Sequence, residues 1–299
     1  MRIAMYHDDR LRGVTRRRGF SLIELMLAVS ISTVIIAALY AVFNQTQRAL
    51  RSNVNQVDVL ESGRAAMDLI TRQLALMAPM GRTNAPNLVL FRTPTIAPVI
   101  QPLPSAPGGL IAFARTNSLW QVYFAAREGA RLDGTGFRVT DAANGVGTLG
   151  QLNISLAIRD LTGANLIPAM MLAAETNYSR VIDGVIHFRV QAFDSRGYPM
   201  VLQYQDGDEV NDRYPGVRLE RDRGLRTETQ TTFFYRALPA YVEVELGILE
   251  PQTLEQYRSF PLNSDFARKF LADHVGQVHL FRQRVPIRQG GIYPLPSSP

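Results

Sequence analysis

The 299-residue chain is 46% hydrophobic and 19% charged, which places it among globular chains and excludes an intrinsically disordered one. It has no cysteine, so disulfides, thiolate nucleophiles and thiolate metal sites are excluded. The net charge of +6 is concentrated at the start, because residues 1–19 hold six arginines against Asp8 and Asp9 and leave the remainder near +2. A nearly neutral remainder lacks the field that phosphate neutralisation needs, so nucleic acid is not an expected partner.

In chain order, the first feature is Arg16-Arg17-Arg18-Gly19, abutting an apolar run from Phe20 to Phe43 whose only charge is Glu24. As a helix this run is about 36 Å long at 1.5 Å per residue, enough to cross a hydrocarbon core of about 30 Å. Arginines ahead of the run hold the N-terminus in the cytoplasm and send the rest of the chain across. A secretory signal carries its small-residue cleavage site after the apolar core. Here Gly19 precedes it, so a cut at Gly19 leaves the span on the mature chain. A carboxylate at the centre of a span costs roughly 2.5–3.5 kcal/mol, so Glu24 needs a reason.

Gly19-Phe20-Ser21-Leu22-Ile23-Glu24 resembles the class III signal of type IV pilins and type II secretion pseudopilins. The resemblance implies that a prepilin peptidase cuts after Gly19 and that Phe20 becomes an N-methylated terminus. Glu24 is then the fifth residue of the mature chain, a position that family fills with glutamate. In an assembled filament the Glu24 carboxylate could neutralise the Phe20 amine of a neighbouring subunit, turning two costly buried charges into a pair. In the isolated subunit the bland reading holds, in which Glu24 reaches back to the cytoplasmic headgroups. The implied location is a single pass through the inner membrane with a periplasmic domain, then the pilus or pseudopilus. The implied partners are other pilin or pseudopilin subunits, the peptidase and the inner membrane.

Helical spacing continues beyond Phe43 through Leu50, Val54, Val57, Leu60, Met67, Ile70, Leu74 and Met77, and Pro79 and Gly81 end it. The expectation is one helix of about 55–60 residues whose second half lays an apolar stripe on a sheet, with Gly63 marking a bend. Glu61-Ser62-Gly63-Arg64-Ala65-Ala66-Met67 resembles a segment of PilW-type minor pilins, with the GspJ-type minor pseudopilin as the neighbouring alternative. The chain departs from the PilW pattern in carrying Pro79 and no cysteine.

Period-2 patterning then predicts strands over 88–92, 109–115, 119–125, 151–158, 185–193, 199–204, 231–236, 240–249 and 277–286. Tyr241 to Leu246 is the clearest, with Val242, Val244 and Leu246 on a core face and Glu243 and Glu245 on a wet one. Helices are expected over 251–258, opened by Pro251, and 264–274, capped by Asn263 with Phe266 and Phe270 on one face. The fold class is therefore α+β: a long N-terminal helix packed on antiparallel sheet, as in pilins. The division is 1–19 leader, 20–43 transmembrane half-helix, 44–80 amphipathic half-helix and 81–299 β-rich globular domain.

Three stretches read as loops. Pro94 to Gly109 favours polyproline-like backbone and reads as a stiff connector. The tail from Pro286 is rich in proline, glycine and serine. The third is acidic, and Asp206, Asp208 and Asp212 could hold Ca²⁺. However, an EF-hand needs an oxygen ligand where Val210 stands and glycine where Asp212 stands, so a solvated hairpin is the better reading.

Enzyme motifs are missing. The four histidines, His7, His187, His274 and His279, have no zinc-ligand spacing, and there is no nucleophile elbow or phosphate loop. Trp120, Tyr123 and Phe124 read as core packing rather than a ligand-stacking platform. The functional expectation is a structural subunit, a minor pilin that primes or tips a type IV pilus. The alternatives are a minor pseudopilin and a tip binding module, either an adhesin or a DNA-capture pilin. For DNA capture the best local cluster is Arg213, Arg218, Arg221, Arg223 and Arg226, interleaved with Glu220, Asp222 and Glu228.

Overall fold

The computed structural model describes residues 21–80, 85–92, 98–102, 114–128, 131–142, 145–157, 166–200, 203–205, 208–210, 214, 216–222, 227–261 and 264–290. The chain divides into two compact units, Met1–Asn53 and Val54–Pro299. Helix α1 (Leu22–Ala75, 54 residues) is the only regular element described in the first unit and opens the second.

Residues Leu22–Leu50 of α1 have a mean hydropathy of 2.4 and are long and apolar enough to cross a membrane. Their apolar side chains stay exposed, for example Leu22, Val34 and Phe43. Three of the five hydroxyls in this run bond back into the helix: Ser30 Oγ to the Leu27 carbonyl at 2.9 Å, Thr33 Oγ1 to Val29 at 2.8 Å and Thr46 Oγ1 to Val42 at 2.9 Å. These three donors are thereby satisfied without water, as a lipid environment favours.

In the second unit the strands are β1 (Pro86–Arg92), β2 (Val99–Pro102), β3 (Ala114–Asn117), β4 (Trp120–Glu128), β5 (Arg131–Thr140), β6 (Gly147–Ala157) and β7 (Ser179–Phe193). They continue as β8 (Gln203–Gln205), β9 (Asp208–Val210), β10 (Val217–Asp222), β11 (Thr227–Phe234), β12 (Tyr241–Leu249) and β13 (Val278–Pro286). Nine of them form one sheet in the order β10-β11-β1-β4-β5-β6-β7-β12-β13, with antiparallel neighbours throughout; β2-β3 and β8-β9 are separate pairs. The sheet turns back on itself far enough that Leu119 makes a parallel bridge to Phe188, and the Phe188 N–H donates to the Ser118 carbonyl at 3.0 Å. The architecture is the α+β one that the patterning predicts.

The main core forms where the second part of α1 meets one face of this sheet. Val59, Ala66, Met67, Ile70, Leu74 and Met77 recur at helical spacing and pack with Leu88, Leu90, Phe124, Phe188 and Val244. The packing stripe therefore starts later than the spacing suggests. Leu50, Val54 and Val57 continue the period but stay more than half exposed. Gly63 is also a point of close approach. A Cβ built on it falls 2.2 Å from Cζ of Phe281, so the glycine makes room for the Phe281 ring of β13 as it is placed here. Asn87, fully buried on β1, ties the helix end to the sheet: its Oδ1 accepts from the Met80 N–H at 2.7 Å, and its Nδ2 donates to the Tyr235 and Ala237 carbonyls.

The opposite face carries short helices. α2 (Leu166–Met171) covers Val89, Tyr123, Ala125, Leu132 and Leu152. α3 (Pro251–Arg258) and α4 (Asp265–Asp273) pack with Val146, Ile186, Leu249 and Val278. Tyr123 and Phe124, adjacent on β4, point into these two different cores, as alternation along a strand demands.

Several expectations are corrected. The cap of α4 is Ser264, whose Oγ accepts the Ala267 N–H at 3.2 Å; Asn263 lies outside the described residues. The buried face of α4 is Ala267 and Leu271, while Phe266 is 76% exposed and Phe270 stacks between Phe260 and His274. Two stretches read as loops are partly strand. β2 lies within the proline-rich connector, where Gln101 is buried and its Nε2 donates to the Leu271 carbonyl. β9 lies within the acidic stretch, where Asp208–Val210 pairs with β8.

Candidate functional site

The sequence places its chemistry at the start of α1. Ser21 stands immediately before the first helical residue, and its Oγ accepts the Glu24 N–H at 3.3 Å while its carbonyl accepts from Glu24 and Leu25. Ser21 thus caps the helix, and the pattern Ser-x-x-Glu is the capping-box signature. That signature was legible in Ser21-Leu22-Ile23-Glu24 and escapes a reading that treats the residues only as a signal. Glu24 also sits in the first turn, where the positive end of the helix dipole favours an anion. It is exposed, and no basic side chain lies within ion-pair reach of it among the described residues. Gly19 and Phe20 lie outside the described residues.

Asp208 opens β9 opposite Gln205, while Asp206 and Asp212 lie outside the described residues. Among the described residues no group of three or more histidines and carboxylates could hold a metal ion. Of the arginine cluster, Arg218 and Arg221 stand on β10, and Arg213, Arg223 and Arg226 lie outside the described residues.

A second concentration of polar groups appears where the sequence predicts a wet strand face. Glu243 on β12 is 6% exposed; it accepts from Arg282 Nη2 at 2.5 Å and Arg284 Nη2 at 3.2 Å, both on β13. The Arg284 guanidinium also lies 4.2 Å from the centre of the Phe193 ring. Beside it, Glu245 faces His187 Nε2 at 3.2 Å, Arg282 Nε at 3.4 Å and Arg189 Nη1 at 3.7 Å. The registers Glu243↔Arg284, Glu245↔Arg282 and Glu245↔Arg189 put opposite charges directly across neighbouring strands. The glutamates are covered rather than wet because β12 lies between β7 and β13, whose arginines reach across to them.

His187 is buried, and the backbone N–H of Ser118 donates to its Nδ1 at 3.2 Å. An Nδ1 that accepts leaves the ring proton on Nε2, which donates to Glu245. The contact is thus a neutral imidazole donating to a carboxylate. That bond from His187, with the nearby Arg189 and Arg282, holds the Glu245 carboxyl below the usual carboxylate range against the opposing effect of burial. His279 similarly meets Glu250 at 3.0 Å, and His274 ends α4 as expected, with Nδ1 2.7 Å from the Phe270 carbonyl.

A long apolar helix opened by a capped, acid-bearing turn and followed by an antiparallel sheet domain is an α+β arrangement that fits a single N-terminal membrane anchor. Residues 14–40 match the prokaryotic N-terminal methylation motif, which supports a type IV pilin-like protein carrying a class III signal. No curated protein and no solved structure matches the chain. The match ends before the sheet domain begins, so it bears on the signal and the anchor and not on the globular face.

Proposed function

We propose that the protein is a minor pilin, a structural subunit cut after Gly19 by a prepilin peptidase, methylated at Phe20 and built into a type IV pilus at its priming or tip position. The observation that carries this is the methylation motif over residues 14–40 with Glu24 in the first turn of an exposed apolar helix. The chain sits with its N-terminus in the cytoplasm and its sheet domain in the periplasm, because the arginines of the leader outweigh Arg48 and Arg51 beyond the span. On assembly the span exchanges lipid for the apolar spans of neighbouring subunits. Glu24 of one subunit then pairs with the Phe20 amine of another, which offsets the desolvation of both. A sheet domain with a large core suits a subunit that presents a surface at one end of a filament. The segment Glu61–Met67 resembles PilW-type pilins, and a GspJ-type pseudopilin would use the same N-terminal chemistry.

Mass spectrometry of the mature N-terminus tests the first half: the expected species begins at methylated Phe20. Glu24→Gln tests the second. The variant should be cleaved normally yet drop out of sheared filaments, and normal incorporation would sink the pairing. Identification of the neighbouring genes separates a pilus from a type II secretion system.

A further inference from the structure

Beside the bridge between Leu119 and Phe188 lies a cavity of about 540 Å³, within the usual range of small-molecule sites. Three arginines line it, Arg92, Arg115 and Arg189, against one carboxylate, Glu245. Glu245 is already engaged by His187, Arg189 and Arg282. Among the described residues no carboxylate lies within ion-pair reach of Arg92 or Arg115, and no hydrogen bond is made by the Arg92 side chain.

Both of these arginines bury an Nε that has no acceptor. Arg115 is held in place by neutral groups. Its Nη2 donates to Gln101 Oε1 at 2.6 Å, the same oxygen accepts from Asn117 Nδ2 at 2.8 Å, and Gln101 Nε2 donates to the Leu271 carbonyl at 2.6 Å. Burial lowers the Arg115 pKa from its ordinary value, as expected of a partly desolvated cation met by a neutral amide and not by a carboxylate. A desolvated cation with spare donors is costly unless an anion arrives to meet it. The remaining wall includes the apolar side chains of Trp120, Val190, Met200 and Leu280.

We propose that this cavity binds an organic carboxylate with an apolar body, the carboxylate on Arg115 and Arg92 and the body against Trp120 and Met200. Guanidinium groups meet a carboxylate through paired, charge-assisted hydrogen bonds, and Arg115 is oriented before the ligand enters. The apolar wall selects against a small, strongly hydrated inorganic anion, which has nothing to place there. Such a site on the globular domain acts independently of the N-terminal assembly contact.

Trp120 is the chain's single tryptophan, so its emission reads the cavity in the full-length, detergent-solubilised protein without a label. Titration with hexanoate should produce a saturable change, and its neutral counterpart hexanamide should produce none. Arg115→Gln and Arg92→Gln should each raise the apparent Kd by about tenfold or more, the scale of one hydrogen bond to a charged group. Far-UV circular dichroism checks each variant, and either one that retains the native spectrum suffices for the comparison. If neither retains it, the wild-type contrast of hexanoate with hexanamide decides. Absence of a saturable response to hexanoate, an equal response to hexanamide, or unchanged affinity in a folded variant would overturn the proposal. Saturation by inorganic phosphate without saturation by hexanoate would overturn it as well.

Discussion

Replacing Gly63 by alanine sets two effects of known size against each other. In a helix interior alanine is favoured over glycine by about 1 kcal/mol, so helix propensity alone makes the substitution stabilising. The new methyl group, however, would lie 2.2 Å from Cζ and 2.3 Å from Cε2 of Phe281, well inside contact distance. Phe281 is part of the sheet surface that packs against the main core, so its ring has to swing out or β13 has to shift. Overpacking of this kind costs on the order of 1–3 kcal/mol, which outweighs the propensity gain or matches it at the lower end. Gly63→Ala alone is therefore expected to destabilise the sheet unit by up to about 2 kcal/mol after propensity is subtracted. In a Phe281→Ala background the obstacle is gone, and the same change should stabilise by up to about 1 kcal/mol. The assay is denaturant unfolding of all four proteins in detergent, followed by Trp120 emission, with the coupling read from the double-mutant cycle. If Gly63→Ala stabilises the wild type as much as it stabilises the Phe281→Ala protein, close approach is not the reason for the glycine.

Asn87→Ala should destabilise by roughly 2–4 kcal/mol in the same assay, because it leaves a buried N–H and two carbonyls without partners at the junction of α1 with β11 and β12; a loss below half a kilocalorie would mean that water replaces the amide. Glu245 gives a pH dependence. Its folded-state pKa lies below the ordinary 4.5, chiefly through the His187 bond, so the charged form stabilises the fold. That contribution is present above 4.5 and fades as pH falls through the lower folded-state value. Thermal midpoints across this range should show a steeper acid decline in the wild type than in Glu245→Gln, and identical slopes would count against the assignment. Asp183 adds a decline of its own that both proteins share. Burial raises its pKa, but hydrogen bonds from Arg258, Thr148 and the Gly184 N–H outweigh that and lower it overall.

What was legible in the sequence came from local patterns that carry their own physics. A run of apolar residues behind a basic cluster requires a membrane-length helix whatever follows it. The period through Met67, Ile70 and Leu74 forces one face inward, and the alternation at Val242, Val244 and Leu246 does the same for a strand. Glu24 stands out because a lone carboxylate in such a run is costly. The start of α3 at Pro251 is equally local.

Tertiary structure decided everything that depends on what lies opposite. β5 was missed because glycine stands where side chains should alternate: a Cβ on Gly134 would fall 2.6 Å from Met170 Sδ, and one on Gly136 would fall 2.7 Å from Tyr123 Cδ1. Six residues containing Pro168 hold no readable helical period, yet α2 forms because the sheet offers Leu166, Ile167 and Met170 a surface to cover. The glutamates of β12 look solvated in one dimension and are enclosed once β7 and β13 flank them with arginines. Arg92 and Arg115, 23 positions apart, share a cavity only because the sheet returns to bring Leu119 against Phe188. By itself the sequence determined the anchor, its capped acidic turn and the fold class, because those follow from composition and period along one segment. Which charges are buried, which glycines are required and where a ligand can enter depend on contacts between distant segments, and only the folded sheet supplies those.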